Sequence, residues 1–118
     1  MKLSEVKELL NAQVLCGEDA LDSINVEKAY ASDLMSDVLA FASPSVLLLT
    51  GLTNVQIFRT AQMLDIPAIV FVRGKMPNDD LLELAHEEGM PILLTVMSMF
   101  EASGRLYAQN MLPCEIKR

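Results

Sequence analysis

The stretch VLLLTGLTNVQ, residues 46–56, decides the fold that this sequence predicts. It begins with an apolar run that ends at Thr50, and runs of this length are typical of strands covered on both faces of a parallel sheet. Thr53 and Gln56 follow with the spacing of a capping box, so Thr53 is predicted to begin a helix. The stretch therefore predicts a strand, a loop and a helix in succession.

Two later parts of the chain repeat this pattern. The apolar runs 68–72 and 92–95 predict strands, and Asn78 and Ser98 are predicted to cap the helices that follow them. Parallel neighbours need crossover helices, which are nearly always right-handed. The sequence therefore predicts an α/β fold whose mostly parallel sheet is built from three consecutive βα units.

The segment before residue 46 is predicted to add one helix and one or two short strands. The helix covers residues 3–11, and the strands cover 13–16 and 24–31. At 118 residues the chain has the length of one domain. We predict a single domain over 1–118, with a core from about residue 3 to 110 and a short tail at 111–118.

Charge and composition argue against several classes of protein. Sixteen acidic and nine basic side chains give a net charge of −7, which disfavours nucleic-acid binding. No apolar run approaches the roughly 20 residues of a membrane helix. Cys16 and Cys114 form neither a disulfide framework nor a zinc motif. We expect a cytoplasmic protein that contacts neither nucleic acid nor membrane.

The loops after the three main strands are the predicted functional region. Ligands of open parallel sheets bind beyond the carboxyl ends of the strands, and the helix N-termini there suit an anion. Arg73 and Lys75 add two positive charges. The predicted ligand-binding residues are Thr50, Gly51, Thr53, Asn54, Arg73, Gly74, Lys75, Thr95 and Ser98. The alternative is that the glycines only form turns and the cations are simply solvated.

Asp33 and Asp37 have two interpretations. In a helix that begins near residue 33 they lie one turn apart on one face. Either Ser32 or Asp33 caps that helix and the acids favour its positive end, or the two carboxylates contact a ligand or a partner. A metal site needs further ligands, and the chain has one His. We predict neither a metal nor a cofactor.

Gly104 lies inside a helical pattern, where glycine costs about 1 kcal/mol relative to alanine. Close packing inside the monomer is the expected reason, and a dimer contact is the second. Arg105 and Tyr107 flank this glycine and are further candidate contacts. The chain carries no nucleophile–base pair, metal set or phosphate loop, so we expect no enzyme activity.

Five segments give the sequence a resemblance to a known family. They are YASDLMSDVLA (30–40), VLLLTGLTNVQIF (46–58), IPAIVFVRGKMPNDD (66–80), GMPILLT (89–95) and MFEASGRLY (99–107). Over residues 3 to 110 the chain resembles the DRTGG domain family, which is similar to the N-terminal domain of HPr kinase/phosphorylase. The family's Asp-Arg pair is replaced by Gly51-Leu52-Thr53, and its Thr-Gly-Gly by Val72-Arg73-Gly74.

The residues and the resemblance together leave two alternative functions. One is a non-enzymatic regulatory domain that binds a small anionic ligand, with an adenine nucleotide implied because the family occurs in regulated pyrophosphatases. The other is a homodimeric interaction module, with nucleotide binding lost, that serves a larger hydrogenase-associated or kinase-like enzyme. The eight methionines suit the second alternative, because Met is common at adaptable binding surfaces.

Overall fold

The computed structural model describes residues 1–116. The helices are α1 (Leu3–Leu10), α2 (Met35–Phe41), α3 (Val55–Met63), α4 (Asp79–Glu88) and α5 (Met99–Ala108). The strands are β1 (Gln13–Cys16), β2 (Lys28–Ala31), β3 (Leu47–Thr50), β4 (Ala68–Phe71), β5 (Ile92–Leu94) and β6 (Leu112–Pro113). None of the helices within residues 1–116 is long and apolar enough to cross a membrane.

The strands form one six-stranded sheet in the order β1-β5-β4-β3-β2-β6. All neighbouring pairs are parallel except β1 and β5. From β2 to β5 each strand lies beside the next, and α2, α3 and α4 connect them. The predicted α/β fold, with its mostly parallel sheet and three consecutive βα units, is confirmed.

Helices cover both faces of the sheet, which explains why the central strands are apolar throughout. Every residue of β3 and β4 is buried. On one face α1 and α5 pack on the sheet through Leu3, Val6, Leu10, Ala102 and Leu106. On the other face α2, α3 and α4 pack through Val38, Ile57, Phe58, Leu81 and Ala85.

The direction of the chain decides which face each helix covers. From β2 to β5 the chain moves across the sheet in one direction, and it then returns to the opposite edge to form β6. Right-handed crossovers place helices on opposite faces when this direction reverses. The fifth helix therefore lies on the face opposite to α2, α3 and α4.

The second predicted strand is shorter than expected. The sequence indicated a strand over 24–31, whereas β2 begins at Lys28. The residues before it bond to the start of the chain instead. The Leu3 N–H donates to the Ile24 carbonyl at 3.0 Å, and the Val26 N–H donates to the Met1 carbonyl at 2.8 Å.

The packed unit extends beyond its predicted end at residue 110. Leu112 and Pro113 pair with β2 at the edge of the sheet. The Cys114 N–H donates to the Ala29 carbonyl at 3.0 Å, and the side chains of Met111 and Cys114 are buried. The predicted tail is therefore part of the core at least as far as Cys114, while residues 117 and 118 lie outside the described residues.

Helix capping is as predicted at Asn78 and Ser98, whereas α2 has Leu34 as its N-cap and lacks the side-chain cap expected from Ser32 or Asp33. Asn78 and Ser98 accept the N–H groups of Leu81 and Glu101 at 2.9 and 3.1 Å, and Gly89 ends α4 in the left-handed conformation with φ of 72°. Helix α3 differs, because Asn54 rather than Thr53 is its cap.

Asn54 is the cap because its Oδ1 accepts the Ile57 N–H at 3.1 Å. The Thr53 carbonyl instead accepts the Asn78 N–H at 3.1 Å, which ties the loop after β3 to the start of α4. The predicted capping box at Thr53 and Gln56 was therefore wrong by one residue.

Candidate functional site

The loops that follow β2, β3, β4 and β5 are joined to one another at the carboxyl ends of these strands. We call residues 32–34, 51–54, 73–78 and 95–98 the strand-end loops. The Gly51 N–H donates to Asp33 Oδ1 at 2.6 Å, which joins the first loop to the second. The bond from Asn78 to Thr53 joins the second to the third. The bond from the Arg73 N–H to the Met97 carbonyl joins the third loop to the fourth, so the four loops form one connected surface.

The crevice between β4 and β5 is the switch point of this sheet. The chain leaves β4 toward α4 on one face and leaves β5 toward α5 on the other. Ligands of open α/β sheets bind where the connections diverge in this way. The predicted cations Arg73 and Lys75 follow β4 directly, so they lie beside this crevice.

Backbone hydrogen bonds span the crevice. The Arg73 N–H donates to the Met97 carbonyl at 2.8 Å, and the Gly74 N–H donates to the Thr95 carbonyl at 2.9 Å. Arg73 and Gly74 have φ values of 58° and 64°, in the left-handed region that non-glycine residues seldom adopt. The loop after β4 is therefore held against the loop after β5 in a specific conformation.

The central feature of the site is an ion pair that crosses the end of β3. Arg73 Nη2 lies 2.9 Å from Asp33 Oδ2, and the two side chains are 38% and 43% exposed. Gly51 lies beneath this pair, and a Cβ at that position would collide with the Arg73 guanidinium. A residue without a side chain is therefore what lets the guanidinium reach Asp33.

The expectation that Asp33 and Asp37 share a helix face was wrong. Helix α2 begins at Met35, so Asp33 precedes it, whereas Asp37 lies in its first turn. The carboxylate of Asp33 binds Gly51 and Arg73 rather than the helix. The Ser32 hydroxyl accepts the Leu34 N–H at 3.0 Å, which turns the chain into α2.

Asp37 is half-buried near Tyr30. Burial raises the pKa of the Tyr30 hydroxyl above its ordinary value, and the negative charges of Asp37 and Cys114 raise it further, while a hydrogen bond with Ser32 lowers it. The negative charge of Asp37 therefore lies close to Tyr30 in β2.

Two predicted ligand-binding hydroxyls are buried in the structure. Thr50 Oγ1 accepts the Leu52 N–H at 3.1 Å. Thr95 Oγ1 donates to the Leu10 carbonyl at 2.8 Å and accepts the Met97 N–H at 3.2 Å. The hydroxyls of these threonines hold the loop backbone in place through hydrogen bonds. The surface that is open to a ligand consists of the other predicted residues.

The exposed part of the site carries charges of both signs, because Arg73 and Lys75 are cationic and Asp33 is anionic. Asn54, Arg73, Gly74, Lys75 and Ser98 are exposed, and Gly51 and Thr53 are half-buried.

The first turn of α4 contains Asp79 and Asp80, which reduce the attraction of that helix end for an anion. The first turn of α3 contains no acidic residue. The electrostatics therefore favour an anion between Arg73 and the start of α3.

The sequence predicted Asp33 as an alternative ligand or partner contact, but did not place it together with Gly51 and Arg73. The signal that could have found it is its position two residues after a strand, the same position that Arg73 holds after β4. Within residues 1–116 no three His, Cys, Asp or Glu side chains are placed to hold a metal ion. Cys16 and Cys114 are free thiols, and burial raises the pKa of Cys16.

The remaining candidate contacts lie on α5, outside the strand-end loops. Gly104 is exposed, and a Cβ there would meet nothing within 4 Å, so the expected close packing inside the monomer was wrong. Arg105 pairs with Glu101 at 3.4 Å along the helix, and Tyr107 is exposed. These residues form a separate surface.

Comparison with known proteins shows the fold. No protein-family model matches the chain, and no curated protein matches its sequence. A solved structure that matches is that of the CBS and DRTGG domains of the regulatory region of Clostridium perfringens pyrophosphatase, complexed with its activator diadenosine tetraphosphate.

The TM-score with that structure is 0.71 at 19% sequence identity, and the match covers 94% of this chain. It covers 47% of the solved chain, so this protein spans about half the length of its structural neighbour. The resemblance to the DRTGG domain is therefore confirmed at the level of the fold.

Proposed function

We propose that this protein is a regulatory domain that binds a small phosphate-bearing ligand, an adenine nucleotide in the first place, at the strand-end loops. The observation that carries the proposal is the position of Arg73. Its guanidinium is partly exposed and lies over Gly51 at the end of β3, the strand that precedes α3. This is where an anion reaches a positive charge and a helix N-terminus together.

Each exposed group has a role in this proposal. Arg73 and Lys75 neutralise the phosphate, and Arg73 can present two N–H groups to it. The N–H groups at the start of α3 and the Thr53 hydroxyl donate hydrogen bonds. Ser98 borders the ligand from the β5 side of the crevice.

Asp33 competes with the ligand for the same donors. Its two oxygens occupy the Arg73 guanidinium and the Gly51 N–H, which are the groups that a phosphate would bind. A ligand that takes these donors displaces Asp33, which is two residues from the start of α2. Ligand binding would thus favour a second position of this helix, which is what regulation requires.

The structural neighbour motivates both the ligand class and the regulatory role. Its matched region belongs to a regulatory region, and that protein was crystallised with diadenosine tetraphosphate as activator. Since the likeness covers half of that chain, these properties enter here as part of the proposal. We infer no catalytic role, since His86 lies in the last turn of α4, at the opposite end of the helix from the strand-end loops.

We further propose that the domain acts in the cytoplasm on a larger redox or kinase-like enzyme, as the resemblance implies. The two free thiols are consistent with a reducing compartment. A pull-down from a native host lysate with the wild type and with a variant of the strand-end loops would test whether such a partner is recognised at these loops.

A thermal-shift and calorimetric titration tests the ligand. The probes are ATP, ADP, AMP, diadenosine tetraphosphate and inorganic phosphate. A ligand at 100 times its dissociation constant adds about 2.7 kcal/mol of stability, which raises the Tm of a domain of this size by several degrees. If none of the probes raises the Tm or gives heat of binding, the proposal is wrong.

Substitution of both cations locates the site. In Arg73→Ala/Lys75→Ala, the affinity for the ligand found in the screen falls by about tenfold to a hundredfold, because a hydrogen bond to a charged group contributes about 1.5–3 kcal/mol. The matched control is Arg59→Ala, an exposed arginine on α3 outside the strand-end loops, which retains affinity. If the double variant binds the ligand with the affinity of the wild type, the ligand binds elsewhere.

A further inference from the structure

The outer face of α5 is apolar although it is exposed. Phe100 is 88% exposed and Tyr107 is 68% exposed, and Val96, just before the helix, is 82% exposed. We call Phe100, Ser103, Gly104, Tyr107 and Ala108 the α5 outer face. A single exposed aromatic needs no explanation, but large side chains grouped on one face mark an interaction surface.

The layout of this face is close to symmetric along the helix. Phe100 and Tyr107 are seven residues apart, which places them two turns apart on the same side. The small residues Ser103 and Gly104 lie midway between them. A two-fold axis between Ser103 and Gly104, with the helices antiparallel, would bring Phe100 of each copy opposite Tyr107 of the other. Twofold interfaces require such self-complementary patches.

A groove beside Tyr107 has the size of an aromatic ring. Its volume is about 170 Å³, and it lies between α5 and strands β2 and β6. Its walls are Ala29, Ala31, Leu49, Ser103, Leu106, Tyr107, Met111, Leu112 and Pro113. An apolar cavity of about 150 Å³ is sufficient for benzene. The ring of Phe100 from a second copy therefore fits this groove.

The near absence of charge on the α5 outer face allows a second copy of the same chain to bind there. Every copy carries a net charge of −7, so two copies repel wherever charged faces meet. The α5 outer face contains no ionisable group except the Tyr107 hydroxyl. Glu101 and Arg105 on its flank pair with each other at 3.4 Å and leave no net charge there.

We propose that the α5 outer face is the interface of a homodimer, in which two α5 helices cross antiparallel at Ser103 and Gly104. Each Phe100 ring enters the groove beside Tyr107 of the other copy. The missing Cβ of Gly104 lets the helices approach closely, which accounts for a glycine that packs against nothing within one copy.

Burial of the exposed parts of Phe100 and Tyr107 removes on the order of 300 Å² per copy, less than half of the roughly 800 Å² per partner of a standard interface. The groove walls and the small residues of the α5 outer face supply the remainder. The inference does not depend on the ligand proposed for the strand-end loops.

Sedimentation equilibrium over a range of micromolar concentrations tests the proposal. The wild type is expected at twice the chain mass of 13.0 kDa. Phe100→Ser and Gly104→Arg are expected at the mass of one chain, with an unchanged far-ultraviolet circular dichroism spectrum. The matched control is Met63→Ser, which replaces a 67% exposed apolar side chain on α3 and keeps the dimer. A monomeric wild type overturns the proposal, as does a dimer that persists in both α5 variants.

Oxidative cross-linking gives a positive readout without disrupting the helix. Ser103→Cys places a thiol beside the proposed two-fold axis, so mild oxidation is expected to give a covalent dimer linked through residue 103. Gln62→Cys, an exposed position on α3, has the same number of thiols and serves as the control. Equal yields of covalent dimer from the two variants would overturn the assignment of the interface to α5.

Discussion

The side chains of Asp33 and Arg73 meet across the end of β3, a strand to which neither residue belongs. Asp33 follows β2 and Arg73 follows β4, and their ion pair of 2.9 Å spans the loop between them. The contact is made over Gly51, whose N–H donates to the same carboxylate at 2.6 Å. One acidic side chain thus holds the loops of three adjacent strands in their present arrangement.

Neutralising Asp33 is expected to increase ligand affinity. Asp33→Asn keeps the size of the side chain and removes the charge that competes for Arg73. An exposed ion pair contributes up to about 1 kcal/mol, so the affinity should rise by up to roughly fivefold. Isothermal titration of the ligand found in the screen measures this change.

Asp22→Asn is the control for the Asp33 experiment, because it removes an exposed carboxylate outside the strand-end loops. Its affinity should equal that of the wild type apart from any general effect of net charge. A lower affinity in Asp33→Asn would mean that Asp33 helps to hold the ligand rather than competing with it.

Gly51→Ala is expected to disturb the ion pair more than the fold. The new Cβ would meet the end of a flexible side chain, which can move away. We expect a loss in unfolding free energy of about 1 kcal/mol or less, the size of an exposed ion pair. The loss should shrink in an Arg73→Ala background, because no guanidinium remains to be displaced. Urea unfolding of the four proteins of this double-mutant cycle measures the difference, and additive effects would contradict the close contact.

Alanine should have opposite effects at two glycines. Gly104 is in the middle of α5 with open space around it, so Gly104→Ala in the monomeric Phe100→Ser background should add about 0.5–1 kcal/mol of stability. Gly89 has a φ of 72°, where an L-residue with a side chain is strained, so Gly89→Ala should lose about 1 kcal/mol. Thermal unfolding compares the two, and a loss at both positions would mean that Gly104 packs more closely than described.

Asn54 and its neighbour Thr53 are expected to differ in their contribution to stability, because only Asn54 caps α3. Asn54→Ala removes the oxygen that accepts the Ile57 N–H and should cost about 1 kcal/mol. Thr53→Ala removes no cap and should cost clearly less. Chemical denaturation of the two variants checks this order, and a larger loss at Thr53 would restore the capping box that the sequence predicts.

The features that the sequence predicted correctly are the ones encoded locally. The strands after residue 45 are short apolar runs, and Asn78 and Ser98 act on N–H groups three residues away. Such signals lie within a few positions of the structure they produce, so they can be recognised without knowledge of the sheet order.

The features that the sequence missed depend on distant partners. Asp33 leaves the helix because Gly51 and Arg73 are next to it, and that follows only from the strand order. Strand β6 has two residues, one of them Pro113, and therefore no pattern of its own. Gly104 was assigned to packing within one copy because the sequence does not show which side of α5 faces the sheet.

The position of β6 also has a consequence for the order of folding. Among the strands of residues 1–116, β6 follows all the others, but it pairs with β2. Until residues 112 and 113 have left the ribosome, β2 is an open sheet edge, and open edges invite pairing with other chains. The edge of β2 is therefore unpaired while the domain is being synthesised. A chain truncated before Leu112 is expected to aggregate through this edge, in addition to losing stability.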